Sequence, residues 1–92
     1  MNKTEKFSSV WDALEDDPIK AENMKLRSAL MMAIAARIEK ESLNQTEAAK
    51  KLVITQPRVS ALMQGKIESF RLDTLVNMAH RLGLQVNIDI AA

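Results

Sequence analysis

Cysteine is absent from this chain of 92 residues, and histidine occurs once, at His80. Without cysteine there is no disulfide framework, no thiolate metal site and no cysteine nucleophile. A single imidazole makes neither a multi-histidine metal site nor a convincing Ser-His triad. We therefore predict a protein that is not an enzyme and holds no metal or cofactor, with His80 inert.

Other features are scarce as well. No apolar run approaches the roughly 20 residues that cross a bilayer, and the chain does not open like a signal peptide, so we predict a cytoplasmic protein. Glycine and proline occur twice each, which favours long helices with tight connections. Hydrophobic residues make up 47% of the chain, which is typical of a globular domain. A domain this short buries only about 60–65% of its unfolded surface, so a partner subunit would enlarge its thin core.

Charge is divided unevenly along the chain, although the net charge is only +1. Residues 1–23 contain three Lys and six Asp or Glu, whereas residues 24–92 contain ten Lys or Arg and six Asp or Glu. An acidic N-terminal segment on a basic body suggests two surfaces with different partners. Such an imbalance is also common in proteins that bind no anion, so it favours nucleic acid only slightly.

Local signals predict two helices in the first half of the chain. Val10 and Leu14 lie one turn apart on one face, which predicts a short helix before the acidic run that ends at Asp17. A long helix then starts at Pro18, with Asp17 as its N-cap, and reaches about Glu41. Its predicted apolar stripe consists of Ile19, Leu26, Leu30, Ala33, Ile34 and Ile38, broadened by Met24, Met31 and Met32.

Residues 43–65, which read LNQTEAAKKLVITQPRVSALMQG, predict two short helices joined by a tight turn. Asn44 is the first N-cap, Thr55 is the second, and Pro57 falls within a first turn, where its missing N–H is harmless. Gly65 suits a left-handed C-terminal cap. The second helix keeps a polar outer face of Gln56, Arg58, Ser60 and Gln64, and a helix of this kind fits the major groove of DNA.

The last third of the chain predicts one more helix and one strand. The helix begins around residues 69–71, runs to Leu82 and ends at Gly83. Residues 84–90 then alternate strictly between apolar and polar side chains, which is typical of a half-buried strand. A lone strand leaves its backbone unpaired, so it needs a partner.

The segment 43–65 resembles the Xre-type helix-turn-helix. The resemblance rests on the Thr55-Gln56 pair that opens the second helix, on the Val59-Ser60 pair and on the closing Gly65. Val53 is a departure, because the family often has glycine in this turn. The resemblance implies an all-α, lambda-repressor-like five-helix domain with a short C-terminal β-strand. The expected organisation is an acidic segment over residues 1–17, a DNA-binding domain over 18–83 and a dimerisation strand over 84–92.

The flanks are similar to one subgroup, the HigA-like antitoxins of type II toxin–antitoxin systems. This similarity rests on residues 7–14, on Asp17-Pro18, Asn23, Lys25 and Arg27-Ser28, and on residues 70–90. It implies a repressor that autoregulates its operon and binds a ribosome-dependent mRNA-cleaving toxin. Two alternatives remain open, a stand-alone Xre regulator without a toxin and a protein-interaction adaptor with a vestigial helix-turn-helix.

The Xre resemblance also implies residue roles in binding double-stranded DNA. The base-facing residues would be Gln56, Pro57, Arg58 and Ala61, and the phosphate-binding residues would be Gln45, Thr46, Thr55, Ser60 and Lys66. Gln56 could pair with adenine and Arg58 with guanine, each pair adding about 1–3 kcal/mol of discrimination. The alternative is that these are ordinary solvated helix residues, with Ala61 a plain spacer. Lys50 and Lys51 are expected only to solvate a helix face.

Two further surfaces are assigned to protein partners. Phe7, Trp11, Glu15 and Asp16 would dock on the basic toxin, or else the two aromatic residues pack on the body as a lid. Leu84, Val86, Ile88 and Ile90 would form the apolar face of the strand. We expect this strand to pair with its copy in a homodimer, which places two recognition helices about 34 Å apart on a palindromic operator. Pairing with the N-terminal segment of the same chain is the alternative.

Overall fold

The computed structural model describes residues 17–92, which contain four α-helices and one 3₁₀ turn. The elements are α1 (Pro18–Lys40), α2 (Gln45–Leu52), α3 (Gln56–Met63), the 3₁₀ turn (Ile67–Ser69) and α4 (Leu72–Arg81). The all-α architecture is as predicted. The predicted short first helix lies outside the described residues.

Helix α1 begins as its sequence predicts and runs 23 residues without a break. The side chain of Asp17 accepts a hydrogen bond from the backbone N–H of Ile19 at 2.9 Å, and Pro18 occupies the first turn. Arg37 and Lys40 lie in the last turn, where positive charge suits the helix dipole. No helix among residues 17–92 is long and apolar enough to span a membrane.

The buried face of α1 differs from the predicted stripe. It consists of Ala21, Met24, Ser28, Met31, Ile34 and Ile38. Ile19 is 80% exposed, Leu26 is 48% exposed and Ala33 is exposed as well, so placing these three on the buried face was wrong. Two apolar stripes run along this helix, and the flexible methionines, which fill irregular gaps well, lie on the one that faces the core.

Helices α2 and α3 begin with the predicted caps. Asn44 and Glu47 form a reciprocal capping box, with N–H to oxygen distances of 2.8 and 2.9 Å. Thr55 accepts from the backbone N–H of Arg58 at 3.4 Å, and Pro57 lies in the first turn of α3. Both helices therefore start where the local sequence places them.

All four helices end in the same backbone motif, in which a residue one or two positions after the helix has a positive φ. These residues are Ser42 (φ 53°), Val53 (φ 59°), Gly65 (φ 75°) and Gly83 (φ 76°). At α3, for example, the N–H of Lys66 donates to the carbonyl of Ala61 at 3.0 Å. A Cβ at Gly65 would meet nothing within 4 Å. Glycine is therefore favoured at this position because of its positive φ and not because a side chain would clash. The predicted glycine cap is confirmed.

One core joins these elements. Its largest fully buried side chains are Phe70, Ile34, Leu52, Leu62, Leu75, Met78 and Val59. Helix α1 packs against α4, α3 and the 3₁₀ turn, and α2 packs against α3 and α4. Helix α3 is thus anchored along one side and open along the other.

Residues 84–92 contain no strand in the described part of the chain, so the predicted C-terminal strand is not observed. A strand requires a partner backbone, and the alternating pattern does not supply one. Leu84 packs against the core, whereas Ile88 and Ile90 are 82% and 86% exposed. Residues 84–89 also wall an apolar groove of about 430 Å³, whose other walls are Leu26, Ala29, Leu30 and Ala33 of α1 with Leu72, Val76 and Ala79 of α4.

Candidate nucleic-acid interface

Helices α2 and α3 form a rigid corner. Ala48 and Leu52 of α2 are 0% and 1% exposed, and Val59 and Leu62 of α3 are 1% and 2% exposed. Small alanine side chains allow the helices to approach closely, and the branched residues fill the angle between them. The two short helices predicted from residues 43–65 are therefore present and packed against each other.

The turn of the corner contains Val53 in a left-handed conformation, with φ 59° and ψ 48°. Its side chain is 70% exposed, and the next residue, Ile54, donates its N–H to the carbonyl of Ala49 at 3.0 Å. Valine therefore adopts the backbone geometry that glycine adopts without strain. The departure from the family pattern leaves the turn geometry intact.

The outer face of α3 is defined by its buried residues. Since Val59 and Leu62 point into the core, a period of about 3.6 residues turns Pro57, Ser60 and Gln64 to the opposite side. Pro57 and Gln64 are exposed, and Ser60 is half-buried. Gln64 donates its side-chain amide to the hydroxyl of Ser60 at 3.1 Å. Gln64 was not among the predicted DNA contacts, although its position one turn after Ser60 is a signal for it.

At the N-terminal end of α3, the exposed Gln56 is joined to α2. Its side-chain amide nitrogen lies 3.1 Å from the hydroxyl oxygen of Thr46, to which it donates. Gln45 and Thr46 are both exposed in the first turn of α2. Thr55 is exposed too, but its hydroxyl already caps α3. The predicted contacts at this end are therefore close together in space.

Arg58 lies on the flank of α3 and not at the centre of its outer face. Its guanidinium carbon is 4.5 Å from the centre of the Phe70 ring, and the residue is half-buried. Ala61 is also half-buried and packs against the core. Phe70 had no predicted role, because it is 12 residues from Arg58 and no local pattern connects them.

Two positively charged side chains of this surface, Arg58 and Lys66, form no salt bridge in the described part of the chain. No acidic side chain among residues 17–92 lies within salt-bridge distance of Arg58 or the exposed Lys66. Lys51, in contrast, forms a salt bridge with Glu41 at 2.7 Å while its side chain stays exposed on the helix face. The Lys51 hydrogen bond holds the pKa of the Glu41 carboxyl below its ordinary value.

The other predicted sites are elsewhere. Phe7, Trp11, Glu15 and Asp16 lie outside the described residues. His80 is exposed beside a shallow hollow that Val76 and Arg81 also line. No group of three or more metal-ligand side chains is found among residues 17–92.

Comparisons with known proteins agree with this geometry. Residues 13–91 match the model of a family described as Helix-turn-helix domain. A solved structure described as an XRE family transcriptional regulator is similar to the chain, with a TM-score of 0.74 and 36% sequence identity, and the alignment covers 79% of this chain and 82% of that one. No curated protein matches the chain significantly. With its capped α2–α3 corner and these two matches, the chain belongs to the XRE family of DNA-binding helix-turn-helix transcriptional regulators.

Proposed function

We propose that the protein is a sequence-specific repressor that inserts α3 into the major groove of an operator in its own promoter. The observation that carries this proposal is the outer face of α3, where Pro57 and Gln64 are exposed opposite the buried Val59 and Leu62, with the exposed Gln56 at the N-terminal end of the helix. A rigid helix with amide groups on its open side meets the requirements for direct reading of base edges.

Each residue of the predicted interface has a proposed contact. Gln56 reads adenine, Arg58 reads guanine, and Pro57 and Ala61 face the groove. Gln45, Thr46, Thr55, Ser60 and Lys66 hold the phosphate backbone, with help from the N-terminus of α2. Among the base-facing residues, Gln56 and Pro57 are exposed, whereas Arg58 and Ala61 are half-buried.

The repressor acts as a homodimer in this proposal. Ile88 and Ile90 are more than four-fifths exposed in the single chain, and they follow a groove with apolar walls from α1 and α4. Pairing of residues 84–90 with the same residues of a second copy would satisfy their backbone and cover these side chains. Two α3 helices about one DNA turn apart would then read a palindrome.

The biological role that we propose is antitoxin activity. Its support is the similarity of the flanks to HigA-like antitoxins and the excess of acidic residues over residues 1–23, which complements a basic RNA-cleaving toxin. The toxin-docking residues would be Phe7, Trp11, Glu15 and Asp16. A stand-alone regulator without a toxin is the second candidate, because the XRE family match applies equally to it.

DNA binding is tested by measuring affinity for the DNA upstream of the chain's own reading frame. Arg58→Ala is expected to weaken binding by about 5- to 100-fold, and wild-type affinity is expected to fall steeply with salt. Arg81→Ala is the matched control, since it removes the same charge on α4 beside His80. Equal affinity of the wild type and Arg58→Ala, without a salt slope, would reject the interface on α3.

The antitoxin role is tested by co-expression with the product of the neighbouring reading frame. Rescue of growth together with co-purification is expected. Trp11→Ala is expected to reduce both while leaving DNA binding unchanged. Growth arrest that the protein does not relieve would favour the stand-alone regulator.

A further inference from the structure

Phe70 is the one aromatic residue among residues 17–92, and it lies between the 3₁₀ turn and α4. Its side chain is 1% exposed, and its backbone N–H donates to the carbonyl of Ile67 at 3.2 Å. Close packing and this hydrogen bond fix the position of the ring. Phe70 is therefore a rigid part of the core that reaches the flank of α3.

The guanidinium of Arg58 covers this ring. A cation within about 6 Å of the centre of an aromatic ring is attracted to it, and the distance here is 4.5 Å. The ring is the partner that the structure gives the guanidinium among residues 17–92, since its N–H groups make no hydrogen bond or salt bridge there. The contact holds the charged group without using any of its donors.

The free donors are the groups that DNA recognition requires. A guanidinium is planar, its five N–H groups lie in that plane, and two of them match the acceptors of guanine. An unrestrained Arg side chain loses about 2 kcal/mol of rotamer entropy when it is fixed completely. A guanidinium that a ring already restrains loses less on binding, so the bound state is favoured.

We infer that Phe70 is a positioning residue for DNA recognition: its ring holds the Arg58 guanidinium on the flank of α3 with all its donors available for guanine. This inference rests on the proposed contact between Arg58 and DNA. Phe70 itself touches no base and acts only through Arg58.

The test is a double-mutant cycle with the full chain and its own promoter DNA. Phe70→Leu keeps an apolar side chain in the core but removes the ring, and it is expected to weaken binding about three- to tenfold. In an Arg58→Ala background the same substitution is expected to change affinity less than twofold. Leu75→Val, a substitution in the core on α4, is the control for general destabilisation. The affinities of all variants are compared at temperatures where circular dichroism shows that they are folded.

The results separate this inference from the proposed function. If Arg58→Ala weakens binding but Phe70→Leu does not, the positioning role is overturned and the α3 interface stands. If Phe70→Leu lowers the affinity equally in both backgrounds, Phe70 is merely structural. If Phe70→Leu raises the affinity, the ring holds Arg58 away from DNA. Either result overturns the inference. If Arg58→Ala binds like the wild type, both proposals fail.

A spectroscopic measurement covers the case in which Phe70→Leu does not fold. In the wild-type protein the ring is expected to shift the Arg58 side-chain proton resonances upfield. Arg58→Lys, which keeps the charge but loses the planar donor pair, is expected to lose most of the discrimination at the guanine. Unshifted Arg58 resonances in the wild type would overturn the inference without any Phe70 variant.

Discussion

Thr46 on α2 accepts a hydrogen bond from the side-chain amide of Gln56 on α3 at 3.1 Å. This contact joins the first turns of the two helices and limits the rotation of the Gln56 amide. The amide keeps its oxygen and one N–H, which is the donor and acceptor pair that adenine requires.

Thr46→Val removes the acceptor and preserves the shape of the side chain. We expect the affinity for promoter DNA to fall about two- to tenfold, which corresponds to one hydrogen bond. The loss should concentrate at the adenine that we propose Gln56 reads, as measured with base-substituted duplexes. Thr74→Val on α4 is the control. A uniform loss across all duplexes would mean that Thr46 acts only through its proposed phosphate contact and not through Gln56.

The left-handed conformation of Val53 leads to a prediction about the free energy of unfolding. A left-handed conformation costs about 1–2 kcal/mol for a residue with a Cβ, and glycine loses about 0.5–1 kcal/mol in backbone entropy. Because Val53 is 70% exposed, little packing is lost in Val53→Gly. We expect a net gain of about 0.5–1 kcal/mol, which raises Tm by roughly 2–8 °C in thermal unfolding.

The opposite substitution provides the control for this prediction. Gly65 has φ 75° and open space around its Cβ position, so Gly65→Ala adds strain without a clash. We expect it to lower stability by about 1 kcal/mol. A drop in Tm for Val53→Gly would mean that the valine side chain makes a favourable contact in the turn.

The proposed dimer predicts a change of mass in solution. Ile88→Lys places a charge in the surface that a second copy would cover, so sedimentation equilibrium should show a shift toward monomer. Ile19→Lys makes the same change at an 80% exposed position of α1 and should leave the mass unchanged. An unchanged mass for Ile88→Lys would argue against pairing through residues 84–90.

The salt bridge between Glu41 and Lys51 predicts a dependence of stability on pH. The pKa of Glu41 is lowered in the folded protein, so the ionised carboxylate stabilises the fold. This stabilisation is present above the pKa of the unfolded chain, about 4.3, and is lost as the pH falls through the pKa of the folded protein. Lys51→Met should therefore lower Tm at pH 7 and have little effect at a pH well below 4. The Lys50→Met variant is the control, and a Tm difference that persists in strong acid would contradict this account.

The helix starts could be predicted from the sequence because capping is local. Asp17, Asn44 and Thr55 each bind a backbone N–H two or three residues away, so their roles are visible in a short window. The left-handed ends were predicted only at glycine, whereas Ser42 and Val53 adopt the same geometry. The backbone hydrogen bonds that follow them, from Leu43 to Ile38 and from Ile54 to Ala49, close the helix ends in this geometry although neither residue is glycine.

The buried face of α1 and the partners of α3 could not be predicted in this way. Leu26 and Met24 are two residues apart and equally apolar, and which of them is buried depends on where the other helices pack. Arg58 and Phe70 are 12 residues apart, and Gln56 and Thr46 are ten apart. Such contacts exist only after the chain has folded, so no local periodicity reports them.

Helix α1 lines two separate hollows of the structure. Met31 and Ala35 face a small hollow with Leu62 and Met63 of α3. On another side of the same helix, the groove beside α4 is lined by Leu26, Ala29, Leu30 and Ala33. Because α1 supports α3 on one side and lines the groove on the other, any ligand that displaced α1 from the groove side would be coupled to the proposed DNA binding by α3. Thermodynamic linkage would make that coupling reciprocal.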